Sequence, residues 1–174
     1  VIVLLGEKGL AKTGDYLSPI SVVAGRDGKV LYVAEATAGQ VAVFDIASGK
    51  VSKVISVAEN PVGLVISADG SKLYVTSAVA AGKVQVIDVR SGRVADSIAV
   101  GHTPVAVVGS PDGKTLYVCN QFDNNIGVID LGSKQQIATI AVTREPVAAA
   151  LTSDGKFLFV ANHLPAGAAN ADYF

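Results

Sequence analysis

The chain has no methionine, no tryptophan and one cysteine in 174 residues. Each scarcity excludes something. A single thiol rules out an internal disulfide, a Cys-x-x-Cys-His haem attachment site and a multi-cysteine zinc site within this chain. It fits either redox compartment and so assigns none. A chain without methionine lacks its initiator, and is expected to be a processed form or part of something longer. Charge of one sign is also missing: 14 Lys and Arg face 15 Asp and Glu, with no basic run. Nucleic acid is therefore not an expected partner. No apolar run reaches the roughly 18 residues that a membrane-spanning helix needs. The N-terminal run, Val1–Leu5, is too short even for a signal-peptide core. No stretch of about 11 residues or more carries a 3.6-residue apolar period, so helices are not expected. Yet half the residues are hydrophobic. They must be buried in a compact fold or an interface.

What is present is a repeat. Four segments align: "SPISVVAGRDGKVLYVAE" (18–35), "NPVGLVISADGSKLYVTS" (60–77), "TPVAVVGSPDGKTLYVCN" (103–120) and "EPVAAALTSDGKFLFVAN" (145–162). Their prolines, Pro19, Pro61, Pro104 and Pro146, are 42, 43 and 42 residues apart. Asp27, Asp69, Asp112 and Asp154, each before a glycine, keep the same spacing. So does the aromatic column Tyr32, Tyr74, Tyr117 and Phe159.

Each unit reads as four short strands. Proline is tolerated at the start of a first strand, where its missing N–H costs no ladder bond. Asp-Gly then makes a tight turn into a second strand. A polar loop leads to a third, such as "KVQVID", and a Ser-Gly turn to a fourth, such as "VADSIAV". Val, Ile, Leu and Tyr dominate, as buried pleated surface requires. Four antiparallel strands per 42 to 43 residues is the pattern of a β-propeller blade. The fold class expected is all-β: a propeller with about three and a half blades in this chain. The second residue beyond each proline is small (Ser21, Gly63, Ala106, Ala148), which suits an innermost strand crowded near a central axis.

The phrases "LYVAE", "LYVTS", "LYVCN" and "LFVAN", each one residue beyond "DGK" or "DGS" and the first three followed by "VFD" or "VID", resemble the YVTN-type β-propeller repeat. The resemblance covers residues 18–162. It implies a periplasmic or extracellular protein, since similar propellers occur in surface-layer proteins and in periplasmic redox systems, some fused to c-type cytochromes. It implies a c-type cytochrome as one kind of partner, and haem or copper held by a partner or a missing region; no haem or copper motif of those systems is present here. The tail "NHLPAGAANADYF" (162–174) resembles an insertion loop of propellers that accompany cytochrome domains.

The expected organisation is an N-terminal segment 1–17, a strand of a preceding or closing blade, then blades 18–60, 61–103 and 104–145. A partial blade 146–174 carries an irregular loop, 162–174. A seven-bladed ring of such units needs roughly 290 residues, and an eight-bladed one more. The expected partners are therefore the remaining blades, in a longer chain or in a second copy, or a separate protein.

Loops joining strand four to strand one, and strand two to strand three, share one face of such a fold. Binding residues concentrate on loops held by a rigid scaffold. That face is expected to carry Glu35, His102, Asn120, Gln121, Asp123, Arg144, Glu145, Asn162 and His163 as a polar mouth for a ligand or partner. His102 and His163 are the only metal-ligand candidates, and a solvated or capping role is the competing reading; no metal is expected. The Asp-Gly column and Asp45, Asp88 and Asp130 read as turn caps on the opposite face. No Gly-x-Ser-x-Gly, Walker or Gly-x-Gly-x-x-Gly motif occurs, so no catalytic residue is assigned. Cys119 shares its column with Ala34, Thr76 and Ala161, so it reads as a small buried filler.

Three functions remain open at this point. The first is a non-catalytic binding or scaffold propeller of the cell envelope. The second is part of a periplasmic redox enzyme, cytochrome- or quinone-associated, with the propeller walling a cofactor site supplied elsewhere. The third is a structural surface-layer repeat.

Overall fold

The computed structural model describes residues 16–163. The expected strand within 1–17 and most of the loop 162–174 lie outside them. Every regular element among the described residues is a strand. β1 (Pro19–Ala24), β2 (Val30–Glu35), β3 (Gln40–Asp45) and β4 (Lys50–Ser56) form one antiparallel meander. β5 (Pro61–Ile66), β6 (Lys72–Ser77), β7 (Lys83–Asp88) and β8 (Arg93–Ala99) repeat it. So do β9 (Pro104–Gly109), β10 (Thr115–Asn120), β11 (Asn125–Asp130) and β12 (Gln135–Ala141). β13 (Pro146–Leu151) and β14 (Leu158–Asn162) begin a fourth unit. The chain is an arc of β-propeller blades, as the repeat predicts.

The core lies between blades rather than within them. Tyr32, Val41, Val43 and Ile55 of the first blade pack on Ile66, Leu73, Val75 and Ile87 of the second. Tyr74, Val84, Val86 and Ile98 pack on Val107, Leu116, Val118 and Ile129 of the third. Alternation along a strand explains the division. Leu73 and Val75 face one neighbour while Tyr74, between them, faces the other. A second strand buried on both sides must be apolar throughout, which is why "LYV" recurs without a polar break. Burying one such side chain contributes about 1.5–3 kcal/mol, and Leu73 is fully buried. The outer strands are mostly exposed and carry the polar residues.

The inner strands β1, β5, β9 and β13 lie side by side around the axis. They wall a cleft of about 410 Å³ lined by Ile20, Ser21, Val62, Gly63, Ala106 and Val147. Pairing slips just after Pro19, Pro61, Pro104 and Pro146, so each inner strand carries a bulge there. In the second blade the inner strand also runs close to its neighbour at this point. A side chain on Gly63 would begin 2.7 Å from Thr76 Oγ1, 3.1 Å from the Val105 carbonyl oxygen and 3.2 Å from Ala106 Cα.

At the C-terminal end of the described arc Phe159 is 65% exposed, whereas Tyr32 and Tyr74 in the same column are at 5% and 4%. In the complete interfaces that column is covered by the following blade.

Candidate functional site

The loops at the second-strand ends and the blade-to-blade connectors share one face. They are tied by a repeated backbone contact. The carbonyls of Ser18, Asn60, Thr103 and Glu145 accept from the N–H of Ala36, Ala78, Gln121 and His163, at 2.9–3.0 Å. All four acceptor residues sit just before a proline with φ of 50°, 51°, 52° and 43°. This left-handed conformation is unfavourable for non-glycine residues, most of all for the β-branched Thr103. Sequence reasoning missed it, because a residue before proline reads as extended. Its presence in all four units makes it part of the scaffold.

The face holds two local clusters. In the first, the His102 N–H donates to Asp123 Oδ2 at 2.8 Å, and His102 Nδ1 lies 2.7 Å from Thr103 Oγ1. The His102 ring meets Phe122 edge-on, with centroids 5.4 Å apart and planes at 60°. In the second, Glu145 Oε2 is 3.4 Å from both Gln121 Nε2 and His163 Nδ1. The Glu145 N–H donates to Asn124 Oδ1 at 2.8 Å. The two clusters are adjacent, since Gln121, Phe122, Asp123 and Asn124 belong to one turn.

Glu35 stands apart in the first blade. It is 2% exposed and accepts from Gln40 Nε2 at 2.5 Å. Asn120 is fully buried rather than part of an open mouth. It donates from Nδ2 to Asn125 Oδ1 at 2.9 Å, and its Oδ1 has no partner. The corresponding Ser77 is equally buried, with Oγ unpartnered. Asn162 and Arg144 are exposed. The sequence therefore placed these nine residues on one face, but only His102, Gln121, Asp123, Glu145 and His163 are joined, directly or through that turn. Phe122 and the loop Ala78–Ala81 border them; that loop, expected to be polar, is apolar, and neither carries the polar side chains that mark a site in sequence.

His102 and His163 lie on different loops. Among the described residues, no group of three His, Cys, Asp or Glu side chains converges with metal-holding geometry. The Cys119 thiol is fully buried, its pKa pushed up to about 11 by that burial.

The opposite face is built from turns. Asp69 Oδ1 accepts from the Ser71 N–H at 3.0 Å and the Ser67 hydroxyl at 2.6 Å. These bonds hold the Asp69 pKa down at about 2. Asp112 and Asp154 make matching bonds. Asp45, Asp88 and Asp130 accept from the N–H of Ser48, Ser91 and Ser133 at 2.6–2.7 Å. A cleft of about 290 Å³ opens here between the second and third blades, lined by Arg26, Ser67, Tyr74, Ser110 and Thr115 among others.

No protein-family model matches the chain, and no curated protein does. Among solved structures it is similar to a chain of Kuenenia stuttgartiensis hydrazine synthase. The identity is 29% and the TM-score 0.79, over 88% of this chain and 44% of that one. The present chain thus spans less than half the length of the chain it matches.

Proposed function

We propose that this arc of YVTN-type blades is the scaffold portion of a redox enzyme of the cell envelope, walling a site whose reactive group is held outside the described residues. The observation that carries the reading is the 29% identity, at a TM-score of 0.79, to a chain named for hydrazine synthesis. The geometry supports the division of labour. Blades locked by inter-blade cores present a rigid face, and that face offers positioning groups rather than a nucleophile paired with a base. Haem or copper belongs, in this reading, to a partner such as a c-type cytochrome or to other parts of the protein. The test is the visible spectrum and metal content of the full-length protein purified from its native source. A haem or copper band supports the proposal. A colourless, metal-free protein refutes it.

A second reading, a non-catalytic docking scaffold, is favoured by the exposed ring of Phe122 on the loop-rich face. It is the reading that a colourless protein would leave standing.

A further inference from the structure

We propose that the sector of the loop-rich face between the second and third blades docks a basic protein surface, one that presents an apolar side chain ringed by lysine or arginine. The sector has an apolar centre. Loop Ala78–Ala81 carries no polar side chain, and Ala80 and Ala81 are exposed. The Val79 carbonyl accepts from the Thr103 N–H at 3.0 Å, which fixes the loop beside His102. Phe122, 56% exposed, leans its ring on His102. Asp123, next to it, is anchored by the His102 N–H. The aromatic is therefore held in place before any partner arrives, so docking costs little ordering entropy.

The rim is acidic. Glu59 precedes Asn60, whose Nδ2 donates to the Ala78 carbonyl at 2.8 Å, on one side of the patch. Asp123 and Glu145 lie on the other. Of the twelve lysines and arginines among the described residues, only Lys83 and Arg144 are at this face, against the accessible carboxylates of Glu59, Asp123 and Glu145. Most of the remaining cations sit in the turns at the opposite face. Those ten cations are accompanied by eight aspartates, whereas at the loop-rich face carboxylates outnumber cations, so this face is the acidic end by a small margin, and its charges act over about 10 Å at 0.1 M salt. An apolar centre within an acidic rim selects a basic surface with an apolar anchor.

The inference rests on the docking part of the proposed function and not on its redox part. The chain has no tryptophan, so the emission of a tryptophan in a peptide reports binding directly. Two peptides serve as probes, Lys-Lys-Trp-Leu-Lys-Lys and Glu-Glu-Trp-Leu-Glu-Glu, titrated with the full chain. The lysine peptide is expected to bind saturably, and about fivefold more weakly at 500 mM than at 50 mM salt. Phe122→Ser and Glu59→Lys should each weaken it about fivefold or more, while Lys114→Glu on the opposite face should leave it unchanged. Phe122 and Glu59 are exposed, so circular dichroism should show both variants folded. Absence of binding, equal binding of the two peptides, indifference to Phe122→Ser, or self-association of the chain through this face would each overturn the inference. A coloured native protein without peptide binding rejects this inference alone. A colourless protein that binds the lysine peptide rejects the redox reading alone.

Discussion

Gly63→Ala tests the account of how the blades meet at the axis. The new methyl carbon would start 2.7 Å from Thr76 Oγ1, 3.1 Å from the Val105 carbonyl oxygen and 3.2 Å from Ala106 Cα. Thr76 cannot simply rotate away, because its hydroxyl accepts from the Gly63 N–H at 2.8 Å in a fully buried position. Overpacking of this kind costs about 1–3 kcal/mol. Replacing glycine stiffens the unfolded chain and returns about 0.4–1 kcal/mol. A net loss of about 1–2 kcal/mol follows, or about 2–8 °C in Tm for a chain of this size. The other units show the remedy. The residue paired with this position is Ala34 opposite Ser21, Cys119 opposite Ala106 and Ala161 opposite Ala148. Each is small, where the second blade uniquely sets Thr76 against a glycine. Thr76→Ala alone should also destabilise, since it strands a buried N–H at about 1–3 kcal/mol. The double variant, which copies the Ala–Ala pair of the fourth unit, should be less damaged than the sum of the singles by at least about 1 kcal/mol. Urea unfolding followed by circular dichroism reads all three. A neutral Gly63→Ala, or an additive double variant, would refute the reasoning.

Three further outcomes follow from the same structure. The pKa of Asp69 lies at about 2 because its turn bonds favour the carboxylate, so the stability it contributes is present above pH 3.8 and is lost as pH falls towards 2; unfolding midpoints measured from pH 5 to pH 2 should fall, and less steeply in Asp69→Asn. Cys119, with its pKa at about 11, should resist a thiol reagent at pH 8 until the chain unfolds, and rapid labelling of the native protein would contradict its burial. Thr103→Asn should stabilise by about 0.5–1 kcal/mol, because asparagine tolerates φ near 52° better than a β-branched residue and stands at the same place in the second blade as Asn60; a loss of stability in the same unfolding assay would show that the Thr103–His102 contact outweighs the strain.

The architecture was legible in the sequence because a repeat protein writes it several times. The Asp-Gly pairs mark hairpins, and each was found in place, with Gly28, Gly70, Gly113 and Gly155 at φ near 70°. The apolar second strands mark burial on both sides. The small residue after each proline marks the axis, although the bulge beside it appears only in the pairing of β1, β5, β9 and β13. The site was legible only as a face. Its nine candidate residues were grouped by register, and register says which end of a strand a residue occupies but not whether its side chain is covered.

What the sequence determined alone is thus whatever depends on neighbours a few residues away: strand period, turn chemistry, caps and the 42-residue repeat. Tertiary structure decided everything that depends on the adjacent blade. It buried Asn120 and Ser77 with unpartnered oxygens, left Phe122 out in solvent against His102, brought Gln121, Glu145 and His163 around one carboxylate oxygen, and kept His102 on a separate loop from His163. The reason is geometric. A blade-to-blade connector packs against loops 21 residues before or after it in the chain, and no local pattern records which of those side chains meet.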